Sequence, residues 1–151
     1  MSFQEKNVTV SLVNFSLILG FYVVRVLQLI QGGSFNSSNV FRLWGIVITL
    51  AVVVTIFATI LTHIVLAILH AIRTGEEKSN VEDIEDERDQ MIDLRGTKLT
   101  YLVSSIGSFL SMLTFVFGQP PLVMFTLLIF SGVVAQILGD VLRLYLYRRG
   151  F

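Results

Sequence analysis

Long apolar runs with few polar breaks dominate this chain. A helix crossing the ~30 Å hydrocarbon core of a bilayer needs about 20 consecutive, mostly apolar residues. Four stretches meet that requirement, at about 8–30, 40–72, 99–117 and 122–147. The first carries Arg25 near its far end, and the second has no formal charge over 43–72. At ~1.5 Å per residue the second outruns the hydrocarbon, so it is expected to tilt or to project beyond it. The third and fourth share one uncharged run, 99–139, divided by Gly118-Gln119-Pro120-Pro121. Consecutive prolines beside a glycine cannot continue a helix and predict a tight hairpin. The expected fold is all-α: one polytopic membrane domain over 1–151, with four transmembrane helices in two hairpins joined by an acidic loop, 73–98.

Composition sharpens this reading. The chain is 54% hydrophobic and 15% charged, against roughly 25% charged for an ordinary soluble domain. Nine of its 11 acids and five of its 11 bases fall in 73–98, which leaves the remainder too apolar for water. A soluble enzyme, a disordered chain and a nucleic-acid binder with a basic surface are thereby excluded. With no cysteine, disulfides, thiolate metal sites and quinone–thiol exchange are excluded as well. The first apolar stretch is too long for a cleaved signal peptide and lacks an A-x-A-like site, so it reads as a retained helix.

Lysine and arginine set the expected orientation. The 73–98 loop holds five, the tail holds Arg148 and Arg149, and Lys6 lies near the start, whereas 31–39 and 118–121 hold none. The positive-inside rule then places both termini and the acidic loop in the cytoplasm. Arg25 and Arg42 lie near the outer face, close enough to the interface to snorkel. Tyr22 and Trp44 on the outside, with Tyr101, Tyr145 and Tyr147 on the inside, suit aromatic belts.

Every span also has one face unsuited to lipid. Thr100, Ser104, Gly107, Ser108, Ser111 and Thr114 recur at helical spacing along the third. Thr55, Thr59, Thr62, His63 and His70 mark the second, and Ser131, Ala135 and Gly139 run beside Gln136, Asp140 and Arg143 on the fourth. Small and hydroxyl residues are where membrane helices meet. The stripes therefore fit either a packed bundle or subunit seam, or a hydrated pathway. Depth brings some of them together: His63 lies 20 residues past Leu43 and Asp140 lies 18 past Leu122, which puts both ~27–30 Å from the outer face. Asn14 and Ser104 reach a similar level from the inside, so His63, Asp140, Gln136, Asn14 and Ser104 form a candidate cytosol-facing polar pocket. In the alternative, Asp140 simply pairs with Arg143 one turn on.

Specific chemistries find little support. The two histidines share one face of one helix and cannot clamp a haem within a chain. No H-E-x-x-H, P-loop, G-x-S-x-G or G-x-G-x-x-G is present. The spans also lack the buried glutamate on which small proton-coupled exporters rely. No cofactor and no metal is expected.

The acidic loop ends in a stretch without proline or glycine from Val81 to Arg95 that is expected to be a juxtamembrane helix leading into the third span. Glu85, Glu87, Arg88 and Asp89 mark its candidate docking surface, against the alternative of a solvated connector. The run Asp86-Glu87-Arg88-Asp89 with Ile92, followed by Thr97-Lys98-Leu99-Thr100-Tyr101, resembles the D-E-R-(D/E)-x-x-I element of uncharacterised small four-span membrane proteins of bacteria and archaea. The resemblance spans about 83–101 and implies a bacterial or archaeal plasma membrane and a regulatory partner at its cytosolic face. The expected role is accordingly a non-enzymatic interaction or regulatory protein in the lipid bilayer, either a homo-oligomer or bound to a membrane-protein partner. A small transporter or channel subunit and, last, a membrane enzyme acting on lipid or quinone are the alternatives.

Overall fold

The computed structural model describes residues 3–74 and 87–149, which form four helices: α1 (Phe3–Gln31), α2 (Ser37–Thr74), α3 (Glu87–Val116) and α4 (Pro121–Arg149). Each is long and apolar enough to cross a membrane. Large apolar side chains stand open over much of the surface, among them Leu17, Phe57, Phe109 and Val116 at 62–73% exposure. A surface of that kind is stable only against lipid or protein, and the chain is a multi-pass integral membrane protein.

Both short turns are built in the same way. At the end of α1, Gly33 takes φ +64°, its amide donates to the Ile30 carbonyl, and the Ser34 amide donates to the Leu29 carbonyl. At the end of α3, Gly118 takes φ +80°, with the Gly118 amide on Phe115 and the Gln119 amide on Thr114. These are Schellman closures, in which a left-handed glycine lets the chain turn back onto the last orphan carbonyls. New helices then start at once. The Asn36 side chain accepts from the Asn39 amide as an N-cap for α2. Pro121 occupies the first position of α4, where its missing N–H costs nothing.

The lateral order is α3–α4–α1–α2, with α2 also touching α4. Thus α4 and α1 are central, although they are distant in sequence. The α1–α2 pair closes on Ile18, Tyr22, Leu43 and Val47. The α3–α4 pair closes on small residues: a Cβ at Gly139 would strike Thr100 and the Gly96 carbonyl, and one at Gly107 would strike Ser131. Backbones approach this closely only where side chains are missing.

Several expected details are revised. The helices outrun the predicted spans at most ends, whereas α3 runs unbroken from Glu87 into its apolar stretch, in line with the expected juxtamembrane helix. Tyr22 is not a belt residue: it is 2% exposed and its hydroxyl donates to the Thr126 carbonyl at 2.8 Å, tying α1 to α4. Trp44 likewise turns inward. Its indole N–H donates to the Phe125 carbonyl at 3.3 Å, and its ring stands edge-on to Phe125 at 5.8 Å. A tyrosine or tryptophan satisfies lipid-facing and helix-facing positions equally well by composition, because each pairs an apolar ring with one polar atom.

Candidate functional site

Near the start of α1, the start of α3 and the end of α4, Asp140 is buried to 2% exposure. Its carboxylate is held from three sides. Ser11 Oγ on α1 donates to Oδ2 at 2.6 Å, while Gln136 Nε2 at 3.2 Å and Arg143 Nη1 at 2.9 Å donate to Oδ1. Gln136 and Arg143 sit one turn before and one turn after Asp140 on α4, so ordinary helix spacing delivers both.

Arg143 is the hub. Besides Asp140, it donates through Nε to Asp93 Oδ1 at 2.9 Å and through Nη2 to Thr97 Oγ1 at 2.8 Å, both on α3. The reach is possible because of Gly96. The Arg143 stem and guanidinium lie where a Cβ at Gly96 would stand. One glycine on α3 is thus the slot through which α4 passes its arginine, and Asp93 and Thr97 close around it.

The cluster borders a cleft of about 260 Å³ that is also lined by Asn7, Asn14, Phe15 and Thr55. Among the described residues, no buried side-chain nitrogen or oxygen lacks a hydrogen-bond partner. A second tie, Arg148 Nε to Glu5 Oε1 at 3.7 Å, joins α4 to α1 nearby, with Arg148 largely exposed. Chemically the arrangement is a satisfied ion network spanning three helices. Among the described residues, no group of three or more histidines, cysteines or carboxylates is placed to hold a metal ion.

The expected pocket residues are distributed as follows. Asp140, Gln136 and Asn14 line one cleft. Ser104 is half-buried on α3 and is not part of that wall. His63 lies on the helical backbone of α2, but its side chain, with those of Thr59, Thr62 and His70, lies outside the described residues. Along the small-residue stripe of α3, Ser111 is 2% exposed, and Thr100, Ser104, Gly107, Ser108 and Thr114 are half-buried. On the acidic turn Glu87 and Arg88 are exposed and Asp89 is half-buried, whereas Glu85 lies outside the described residues. Ile92, expected on an apolar strip with Met91, is fully buried while Met91 is half open.

Ser11, Asp93 and Thr97 are the members that pattern reading missed. A signal existed for two of them. Thr97 lies 21 residues before Gly118 and Arg143 lies 22 after Pro121, so an antiparallel hairpin sets them side by side. Ser11 had none, because its role depends on α1 lying next to α4.

No family model matches the chain, and comparison with curated proteins and with solved structures also gives no match.

Proposed function

We propose that this protein is a non-enzymatic interaction or regulatory protein of a bacterial or archaeal plasma membrane, with both termini and the acidic segment in the cytoplasm. One observation carries the reading: α3 is a single helix from Glu87 to Val116, and Arg143 clamps its first turns to α4 at Asp93 and Thr97. A partner held at the exposed Glu87 and Arg88 would be coupled to the membrane bundle through a continuous rod, and force on that turn would be transmitted to the Asp140 network. The positive-inside distribution supports the orientation. The D-E-R-D element supports the compartment. Assembly with a second copy or with another membrane protein fits the open apolar faces of α2 and α3.

The test is site-specific crosslinking in membranes from position 90, exposed on the same turn, repeated after reversing Glu87 and Asp89 to lysine. Loss of a crosslinked species on reversal is expected. An identical crosslinking pattern in the reversed protein would remove the docking surface.

A second reading, a small transporter or channel subunit, is favoured by the open cleft in which Asn7 and Asn14 stand beside Asp140. It requires ion or solute flux in proteoliposomes that Asp140→Asn abolishes. Flux that is unaffected by this change would end it.

A further inference from the structure

The acids among the described residues, Glu5, Glu87, Asp89, Asp93 and Asp140, lie toward the end of the bundle where α1 and α3 start and α4 finishes. The opposite end, at the α1–α2 turn and the α3–α4 turn, has two charged residues, Arg25 and Arg42, and no acid. Both line a single cleft of about 250 Å³ together with Gln28, Ser34 and Asn39. A water's share of liquid volume is roughly 30 Å³, so the cleft has room for a phosphodiester and its glycerol.

The guanidiniums are little used by the protein. Arg25 Nη1 donates to Gln28 Oε1 at 3.2 Å, and Arg25 lies 5.9 Å over the Phe21 ring. Among the described residues neither arginine has a carboxylate within ion-pair distance. Each guanidinium carries five N–H donors in a planar fork suited to phosphate oxygens. The cleft floor is also preset: the α1–α2 turn is fastened by Asn39 Nδ2 donating to the Ser34 carbonyl at 2.9 Å.

A second feature defines the ligand. From Arg42 an almost wholly apolar groove runs along α2 past Gly45, Ile46, Thr49, Leu50 and Val53. It shares Arg42 and Ile46 with the polar cleft. Gly45 forms an open part of this groove, since a Cβ there would meet nothing within 4 Å. A cationic cleft that opens onto an apolar groove of this kind matches an amphiphile with a phosphate head and an acyl tail.

We infer that the Arg25–Arg42 cleft is a binding site for an anionic diacyl phospholipid, its phosphate between the two guanidiniums and one acyl chain along the α2 groove. This goes beyond the proposed role and depends neither on the orientation nor on the acidic turn. The lipid would pin the first hairpin at the leaflet opposite the acid-rich end.

The experiment is native mass spectrometry of the intact protein in detergent, offered chain-matched phosphatidylglycerol and phosphatidylcholine. Preferential retention of the anionic lipid is expected. Each arginine near an anionic surface contributes enough that removing two should cost roughly tenfold or more in retention, so Arg25→Gln/Arg42→Gln should bring phosphatidylglycerol close to the phosphatidylcholine level. Gly45→Leu, which fills the groove without touching either charge, should weaken the dioleoyl lipid more than the dihexanoyl one. Equal retention of the two lipid classes would overturn the proposal. So would a preference that survives Arg25→Gln/Arg42→Gln but falls in Arg148→Gln/Arg149→Gln, because the lipid would then sit at the other end. Displacement of the lipid by millimolar inorganic phosphate would mark a free-anion site and overturn the lipid assignment. Helicity measured by circular dichroism accompanies each variant. Should the double variant lose its helices, Gly45→Leu and Arg25→Lys/Arg42→Lys decide: retention unchanged in both overturns the proposal.

Discussion

Arg143 makes two ion pairs of nearly equal length, and they should differ greatly in energetic weight. Both N–O distances are 2.9 Å, but the Asp140 side chain is 3% exposed and that of Asp93 is 67% exposed. Replacing Arg143 by methionine keeps most of the stem that lies over Gly96 and removes the charge. Asp140 is then a buried carboxylate with only Ser11 and Gln136 donating to it. Breaking a buried pair by removing one partner costs about 3–5 kcal/mol. Asp93→Asn removes the exposed pair and should cost at most about 1 kcal/mol, as exposed pairs do. The difference, about 2–4 kcal/mol, corresponds to roughly 30- to 1000-fold in the unfolding equilibrium. The double variant Asp140→Asn/Arg143→Met removes both buried charges and should recover most of the loss, leaving a large coupling energy in the cycle. Equilibrium unfolding in mixed micelles by sodium dodecyl sulfate, followed by helicity, measures all of these. If Arg143→Met proves no worse than Asp93→Asn, or if the double variant is as unstable as Arg143→Met alone, the buried Asp140–Arg143 pair does not carry the weight assigned to it.

Other outcomes follow from the packing. Gly139→Ala should destabilise, because its Cβ meets Thr100 and the Gly96 carbonyl, whereas Gly132→Ala, with nothing within 4 Å, should be neutral or slightly stabilising through helix propensity; the same unfolding assay compares them, and equal effects would refute the close α3–α4 approach. Tyr22→Phe deletes the donor to the Thr126 carbonyl without changing shape and should cost about 0.5–1.5 kcal/mol, so a cost near zero would show that the tie contributes nothing. The native chain has no cysteine, so single cysteines placed at Ser37 and Arg149 can be probed with an impermeant thiol reagent in oriented cells. Labelling at 37 and protection at 149 are expected, and the reverse pattern would invert the proposed orientation.

The number of membrane-length helices, their turns and their approximate ends were legible from local signals. Apolar runs cannot be solvated, and Gly118 with Pro120-Pro121 forbids continuation of α3 into α4. The pairing of Asp140 with Arg143 was likewise legible, because i,i+3 spacing is a property of one helix. What local signals could not decide was which helix lies beside which. Lipid-facing and helix-facing apolar positions have almost the same composition, since burial against hydrocarbon and burial against leucine differ little in free energy. The α3–α4–α1–α2 order therefore emerged only in three dimensions, and with it came everything that crosses helices. Tyr22 and Trp44 turned from the interface to bond carbonyls on α4, and Ser11 met a carboxylate 129 positions away. Arg143 reached Asp93 because Gly96 leaves it room. Helix count follows from solvation along the chain, whereas the polar network follows from contacts between distant segments, whose partners no one segment specifies.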